Sequence, residues 1–268
     1  MIILICALNS ASRLLSCTFC LNVSHCTRFT MTLSIKFDIG SKGKGCSINN
    51  DEESLVIVTK CTPEKFMEYI NNRTLLVNRH IKTANGNSTC VDIYKLLHGI
   101  YTGRYYYLGV FATKEDFVNI DGTFNMELYS FTRELTRLRI NNILNTMIKY
   151  KIKRDDQKSP NFLLMNMFHL AYIEHWLKEK DFPECVKLPS LLQKSTRRRK
   201  QIYSHLMQNK METTEPVQRD IDYIIAWKER LEIQLYQLPA TENRYDILKI
   251  IIMYMLGESN LYIPENKS

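Results

Sequence analysis

Residues 160–180 read PNFLLMNMFHLAYIEHWLKEK. Ser159-Pro160 marks the start of a helix, because proline suits the first helical position, where the missing N–H would be unpaired anyway. From Phe162 to Leu177 apolar residues occupy nearly every side rather than one stripe. A helix that is apolar all round must be surrounded by neighbours, so this segment predicts the central member of a helical bundle. It does not predict a membrane span. Asn166, His169, Glu174 and His175 interrupt it, and crossing a bilayer takes about 20 mostly apolar residues.

Helical spacing continues on both sides. Upstream, Leu128, Phe131, Leu135 and Leu138 recur at intervals of three and four, and Ile143, Leu144, Met147 and Ile148 extend the stripe. Downstream, Pro183 and Pro189 bracket a loop, and Ser190 to Lys210 predicts a polar, basic helix. Glu215-Pro216 opens another, with Val217, Ile221, Ile224, Ile225 and Leu231 expected inside. Thr241 can cap a last helix, Glu242 to Leu256, stopped by Gly257.

Before Gly122 the texture differs. Leu33, Ile35, Phe37 and Ile39 alternate with period two and predict a strand, with Leu55–Val58 as its partner across the glycine-rich Gly40–Gly45. Thr62-Pro63 opens a helix whose expected apolar face is Phe66, Tyr69 and Ile70. Asn85-Gly86-Asn87-Ser88 has turn composition. A second helix is expected from Val91 to His98, burying Ile93, Leu96 and Leu97, with Gly99 ending or kinking it. Arg104–Phe111 is strand-like. The order helix, helix, strand pair between Thr62 and Phe111 has the outline of a winged helix-turn-helix. The fold class is therefore α+β, mainly α: an N-terminal extension or weak signal segment (1–30), a small α+β domain (31–122) and a bundle of about five helices (123–268).

The chain carries 36 Lys+Arg against 28 Asp+Glu, a net charge of +8. The excess is local. Arg133 to Lys200 holds 16 Lys+Arg and 7 Asp+Glu, a net of +9, so everything else sums to −1. Such a segment suits a polyanion. Lys194, Arg197, Arg198, Arg199 and Lys200 form its densest run, fit for clamping phosphate or for nuclear localisation. Lys149, Lys151, Lys153 and Arg154 form a second, at the expected end of a helix, and Arg133 and Arg137 lie one turn apart. On a strand, Tyr105 and Tyr107 would share a face on which bases can stack.

Of eight cysteines, four fall in the first 26 residues and one in the last 178. That distribution favours reduced thiols over a disulfide framework. Cys17, Cys20, His25 and Cys26 make a poor zinc set, because adjacent His25 and Cys26 leave an extended backbone on opposite sides. No phosphate-binding glycine loop, HExxH or GxSxG occurs.

The expected function is that of a non-enzymatic, basic nucleic-acid-binding or regulatory protein, intracellular and with a nuclear signal candidate, needing no cofactor or metal. The alternatives are a helical protein-interaction module and an enzyme with a dispersed site. Abundant Ile, Asn, Lys and Tyr with little Gly and Pro is what an AT-rich coding sequence yields, as in large insect DNA viruses and some parasites.

Overall fold

A computed structural model describes residues 32–38, 40–48, 53–72, 78–83, 86–103, 117–119, 122–149, 159–236 and 244–257. The fold class is α+β and mainly α. The strands are β1 (Thr32–Asp38), β2 (Glu53–Lys60), β3 (Asn78–Thr83) and β4 (Gly86–Asp92), in the sheet order β1-β2-β4-β3. Interleaved with them are α1 (Gly40–Gly43), α2 (Pro63–Asn72) and α3 (Ile93–Tyr101). Then come α4 (Met126–Ile148), α5 (Pro160–Glu179), the single turn α6 (Leu188–Leu191), α7 (Arg197–Glu212), α8 (Gln218–Tyr236) and α9 (Arg244–Leu256).

The alternating run starting at Leu33 does form a strand, antiparallel to β2 with Phe37 opposite Val56. Ile35 and Phe37 are buried on one side of the sheet. A register shift between Leu33 and Ile35 interrupts the regular pairing. Thr62 caps α2 as expected, its Oγ1 accepting from the N–H of Lys65 at 3.4 Å.

Several expectations need correcting. The stretch from Gly86 is β4, and Val91 belongs to it rather than to a helix. Its polar composition carries little strand propensity, but it pairs in parallel with β2, Val58 opposite Val91, with both side chains wholly buried. The next helix begins only at Ile93, where Asp92 caps it by accepting from the N–H of Tyr94 at 2.8 Å. A strand pair, β3 and β4, thus separates α2 from α3, which excludes the helix-turn-helix order; the supposed wing, Tyr105–Phe111, lies outside the described residues.

Gly99 does not end α3, which runs on to Tyr101. The basic helix starts at Arg197 rather than Ser190, after the separate turn α6. Ile70 and Val217 are 41% and 56% exposed. Ile70 sits near the end of α2, and Val217 precedes the first residue of α8, so neither lies on a covered stripe.

The helical spacing elsewhere translates directly into burial. Ile93, Leu96, Leu97 and Ile100 of α3 are all at most 1% exposed. On α4, Leu128, Phe131, Leu135, Ile143, Leu144, Met147 and Ile148 are buried while Leu138 is half-buried. α5 packs against α4, α6, α7 and α8, the central place its composition predicts. Among the described residues no helix is long and apolar enough to cross a membrane.

One short loop connects the strand-rich part to the helices. The carbonyl of Lys44 accepts from the N–H of Leu188 (2.8 Å), that of Gly45 from the hydroxyl of Tyr203 (3.1 Å) and that of Cys46 from Nζ of Lys210 (2.8 Å). Gly45 has φ of +69°, and a Cβ there would stand 2.9 Å from Cδ of Pro189 and 3.0 Å from Cβ of Lys187. Gly45→Ala should therefore cost about 1–3 kcal/mol, the left-handed penalty plus the clash. Gly122 also has positive φ but nothing within 4 Å of its Cβ position, so Gly122→Ala should cost less, about 1 kcal/mol. Urea unfolding of the two variants decides it; equal losses would mean that the approach to Pro189 carries no weight.

Candidate functional site

The run Lys194–Lys200 enters α7, and helical geometry divides it. Successive residues turn by about 100°, so positions three or four apart share a side. Arg199, Ile202 and Leu206 share the buried side. Arg199 is only 5% exposed; its Nη1 donates to Glu174 Oε2 on α5, and its guanidinium lies 3.9 Å above the ring of Trp227 on α8. It is a wedge between three helices rather than a surface cation.

Arg198 and His205, two turns apart, meet one carboxylate at the start of α8. Arg198 Nη2 donates to Asp220 Oδ1 at 2.6 Å, and Nδ1 of His205 lies 2.9 Å from Oδ2. Asp220 is 1% exposed and sits in the first turn of α8, where the helix dipole also favours a negative charge. Arg197 and Lys200, three apart, remain exposed, as does Lys194. As candidate phosphate ligands, then, Arg198 and Arg199 are corrected to anchors of α7.

Arg133 and Arg137 of α4 also find an acidic partner, and here it is exposed. Arg133 Nη2 and Arg137 Nη2 donate to the same oxygen, Asp181 Oδ1, at 3.0 and 3.1 Å. Arg133 Nη1 also donates to the hydroxyl of Tyr129 (2.6 Å) and Arg137 Nη1 to Glu134 (2.6 Å). Asp181 follows α5, whose cap residue Lys180 is in the left-handed conformation. Donation from the N–H of Phe182 and the two arginines hold its carboxyl below the usual carboxylate range, against the opposing effect of partial burial.

His175 lies on the last turns of α5. Burial holds its imidazole below the ordinary value; the charge of Glu179 opposes this, that of Lys194 adds to it, and Asp181 opposes it through both charge and a backbone hydrogen bond. Arg133 and Arg137 thus meet at Asp181, just past the end of α5. Lys149 is exposed at the C-cap of α4, where a cation also suits the negative end of the dipole. Lys151, Lys153, Arg154, Tyr105 and Tyr107 lie outside the described residues, as do Cys17, Cys20, His25 and Cys26. Among the described residues, no group of His, Cys, Asp and Glu is placed to hold a metal ion.

No protein-family model matches the sequence. The chain is similar to a viral early protein. That relative is Protein Early 65 kDa of Autographa californica nuclear polyhedrosis virus, 29% identical over 273 residues. The match covers 87% of this chain and 49% of the relative, so the chain spans about half the length of the curated protein it matches. A viral relative fits the virus-like composition.

Several structurally decisive residues escaped the sequence reading: Glu174, Asp181, His205, Asp220 as an ion-pair acceptor, and Arg139. The last is 2% exposed, and its Nε donates to the carbonyl of Tyr101 at 2.9 Å, at the end of α3. A signal for Arg139 and Arg199 was present. Each falls at helical spacing with apolar positions, Arg139 after Leu135 and before Ile143, Arg199 before Ile202 and Leu206. An arginine on an apolar stripe is an arginine with a buried partner.

Proposed function

We propose that this chain is a non-enzymatic nucleic-acid-binding module of a viral early regulatory protein, acting inside the cell and contacting phosphates through the corner formed by the end of α5 and the start of α7. The observation that supports this best is the division of labour within the basic segment. Arg198 and Arg199 are committed to orienting α7, while Lys194, Arg197 and Lys200 stay exposed on the same short stretch. Arg133 and Arg137 converge on Asp181 just past the end of α5. Clustered exposed cations meeting a phosphate chain release its counterions, which gives affinity without base contacts. The similarity to a viral early protein supports the early regulatory part of the reading.

The test is retention on DNA or heparin as salt rises. Wild type should lose affinity steeply between about 50 and 200 mM salt. The triple variant Lys194→Ala, Arg197→Ala, Lys200→Ala should flatten the slope of log affinity against log salt by roughly 2 to 3, about 0.9 for each phosphate that is no longer neutralised. Arg198 and Arg199 stay intact, since truncating them would disturb packing. Identical slopes for wild type and triple variant would end the proposal.

A second reading, a helical protein-interaction module, is favoured by one observation. Ile233 and Tyr236, one turn apart on α8, are 66% and 92% exposed. It predicts binding that depends weakly on salt and is abolished in Ile233→Ser, Tyr236→Ser.

A further inference from the structure

The oxygen Oδ1 of Asp181 collects three N–H donors: Nη2 of Arg133 at 3.0 Å, Nη2 of Arg137 at 3.1 Å and the backbone N–H of Phe182 at 2.8 Å. Three convergent donors, two of them charged, make a seat for an anionic oxygen.

The donors are held by their surroundings, independently of Asp181. The ring of Phe182 is 7% exposed and packs edge-on against Trp176 at 4.9 Å. Its face lies 4.9 Å from the guanidinium of Arg133 and 5.6 Å from that of Arg137. The second nitrogens of the two arginines are tied to Tyr129 and Glu134. Arg133, packed on Phe182 and tied to Tyr129, has little side-chain freedom left to lose when a ligand arrives, so its part of the seat is preorganised. The occupant differs from the seat: the side chain of Asp181 is 53% exposed, and an exposed ion pair of this kind is weakly held.

We infer that Arg133, Arg137 and the N–H of Phe182 form a binding site for one backbone phosphate of a nucleic acid, and that Asp181 fills it until that phosphate displaces it. A phosphate oxygen keeps all three hydrogen bonds and brings further oxygens of the same group. The proposal rests on the nucleic-acid reading above and deepens it: the α4–α5 ion pair becomes a competitor built into the chain, which sets a threshold for binding.

The experiment measures the affinity of the full chain for a labelled DNA duplex from about 50 to 200 mM salt. Asp181→Asn removes the competing charge and should raise affinity about three- to tenfold at the low end, steepening the log–log slope by roughly 1. Glu212→Gln makes the same change in net charge at the far end of α7 and should leave affinity and slope unchanged. Adding Arg137→Ala to Asp181→Asn should abolish the gain; Arg137 is 43% exposed, so its removal spares the fold.

An Asp181→Asn protein that binds like wild type overturns the inference. So does a Glu212→Gln protein with the same gain, because net charge alone would then account for it. If salt-dependent binding is present and disappears in the Lys194, Arg197, Lys200 variant, yet Asp181→Asn changes nothing, only this inference falls. Wild type that binds no DNA at any of these salt concentrations overturns both.

Discussion

Arg199→Ala should destabilise the protein by about 3 kcal/mol or more, while Arg197→Ala, two residues earlier in the same basic run, should stay within about 0.5 kcal/mol of wild type. The contrast follows from what each side chain touches. Arg199 is buried, paired with Glu174 and stacked on Trp227. Truncation removes the stack, opens space beside a fully buried tryptophan and leaves the charge of Glu174, whose side chain is 20% exposed, to the exposed Lys178 at 3.3 Å. Breaking one side of a buried pair costs more than the pair contributes, because the surviving charge keeps its desolvation penalty. Arg199→Met retains part of the packing and should fall between the two. Urea unfolding of the three variants measures this. Equal stabilities for Arg197→Ala and Arg199→Ala would show that position on the helix does not separate anchor from surface.

Acid should unfold the protein through His169. This residue is 1% exposed on α5; burial, with a smaller effect from the charge of Lys44, pushes its imidazole down to about 3. In the unfolded chain it titrates near about 6.5. Between those values the unfolded state binds a proton that the folded state refuses, so stability is full above about 6.5 and falls as pH drops toward about 3. The slope approaches about 1.4 kcal/mol per pH unit within that window. His169→Leu removes this group, and the stability difference between wild type and variant should shrink steadily as the solution is acidified from neutral pH. Parallel stability–pH curves would remove His169 from the account. Lys44 gives the matching effect in base. Burial lowers its ammonium from 10.5 to about 8, so stability should rise with pH between those two values, where only the unfolded chain would hold that proton.

These two cases mark how far the sequence could be read. Apolar spacing located α3, α4, α5 and α8 and named much of the buried faces of α3, α4 and α8, because the period of a helix is a local property that neighbouring residues display. The same period carried the signal for Arg199 and Arg139, interior arginines on apolar stripes. β4 was less legible: Gly86–Asp92 is polar and turn-like by composition, and it becomes a strand because β2 pairs with it in parallel. Nothing within the segment specifies that partner.

The candidate site was legible as charge and illegible as direction. Counting placed the positive excess in residues 133–200. Which of those cations stay exposed and which face a carboxylate depends on Glu174, 25 residues from Arg199, on Asp220, 22 from Arg198, and on Asp181, 44 and 48 from the two arginines of α4. By itself the sequence determined the helical class, the central helix and the surplus of cations, since hydrogen bonding and apolar periodicity act over about three or four residues. The tertiary structure decided which cations are anchors and which are available. Coulombic pairing depends on distance in space, and that distance exists only once α4, α5, α7 and α8 have packed.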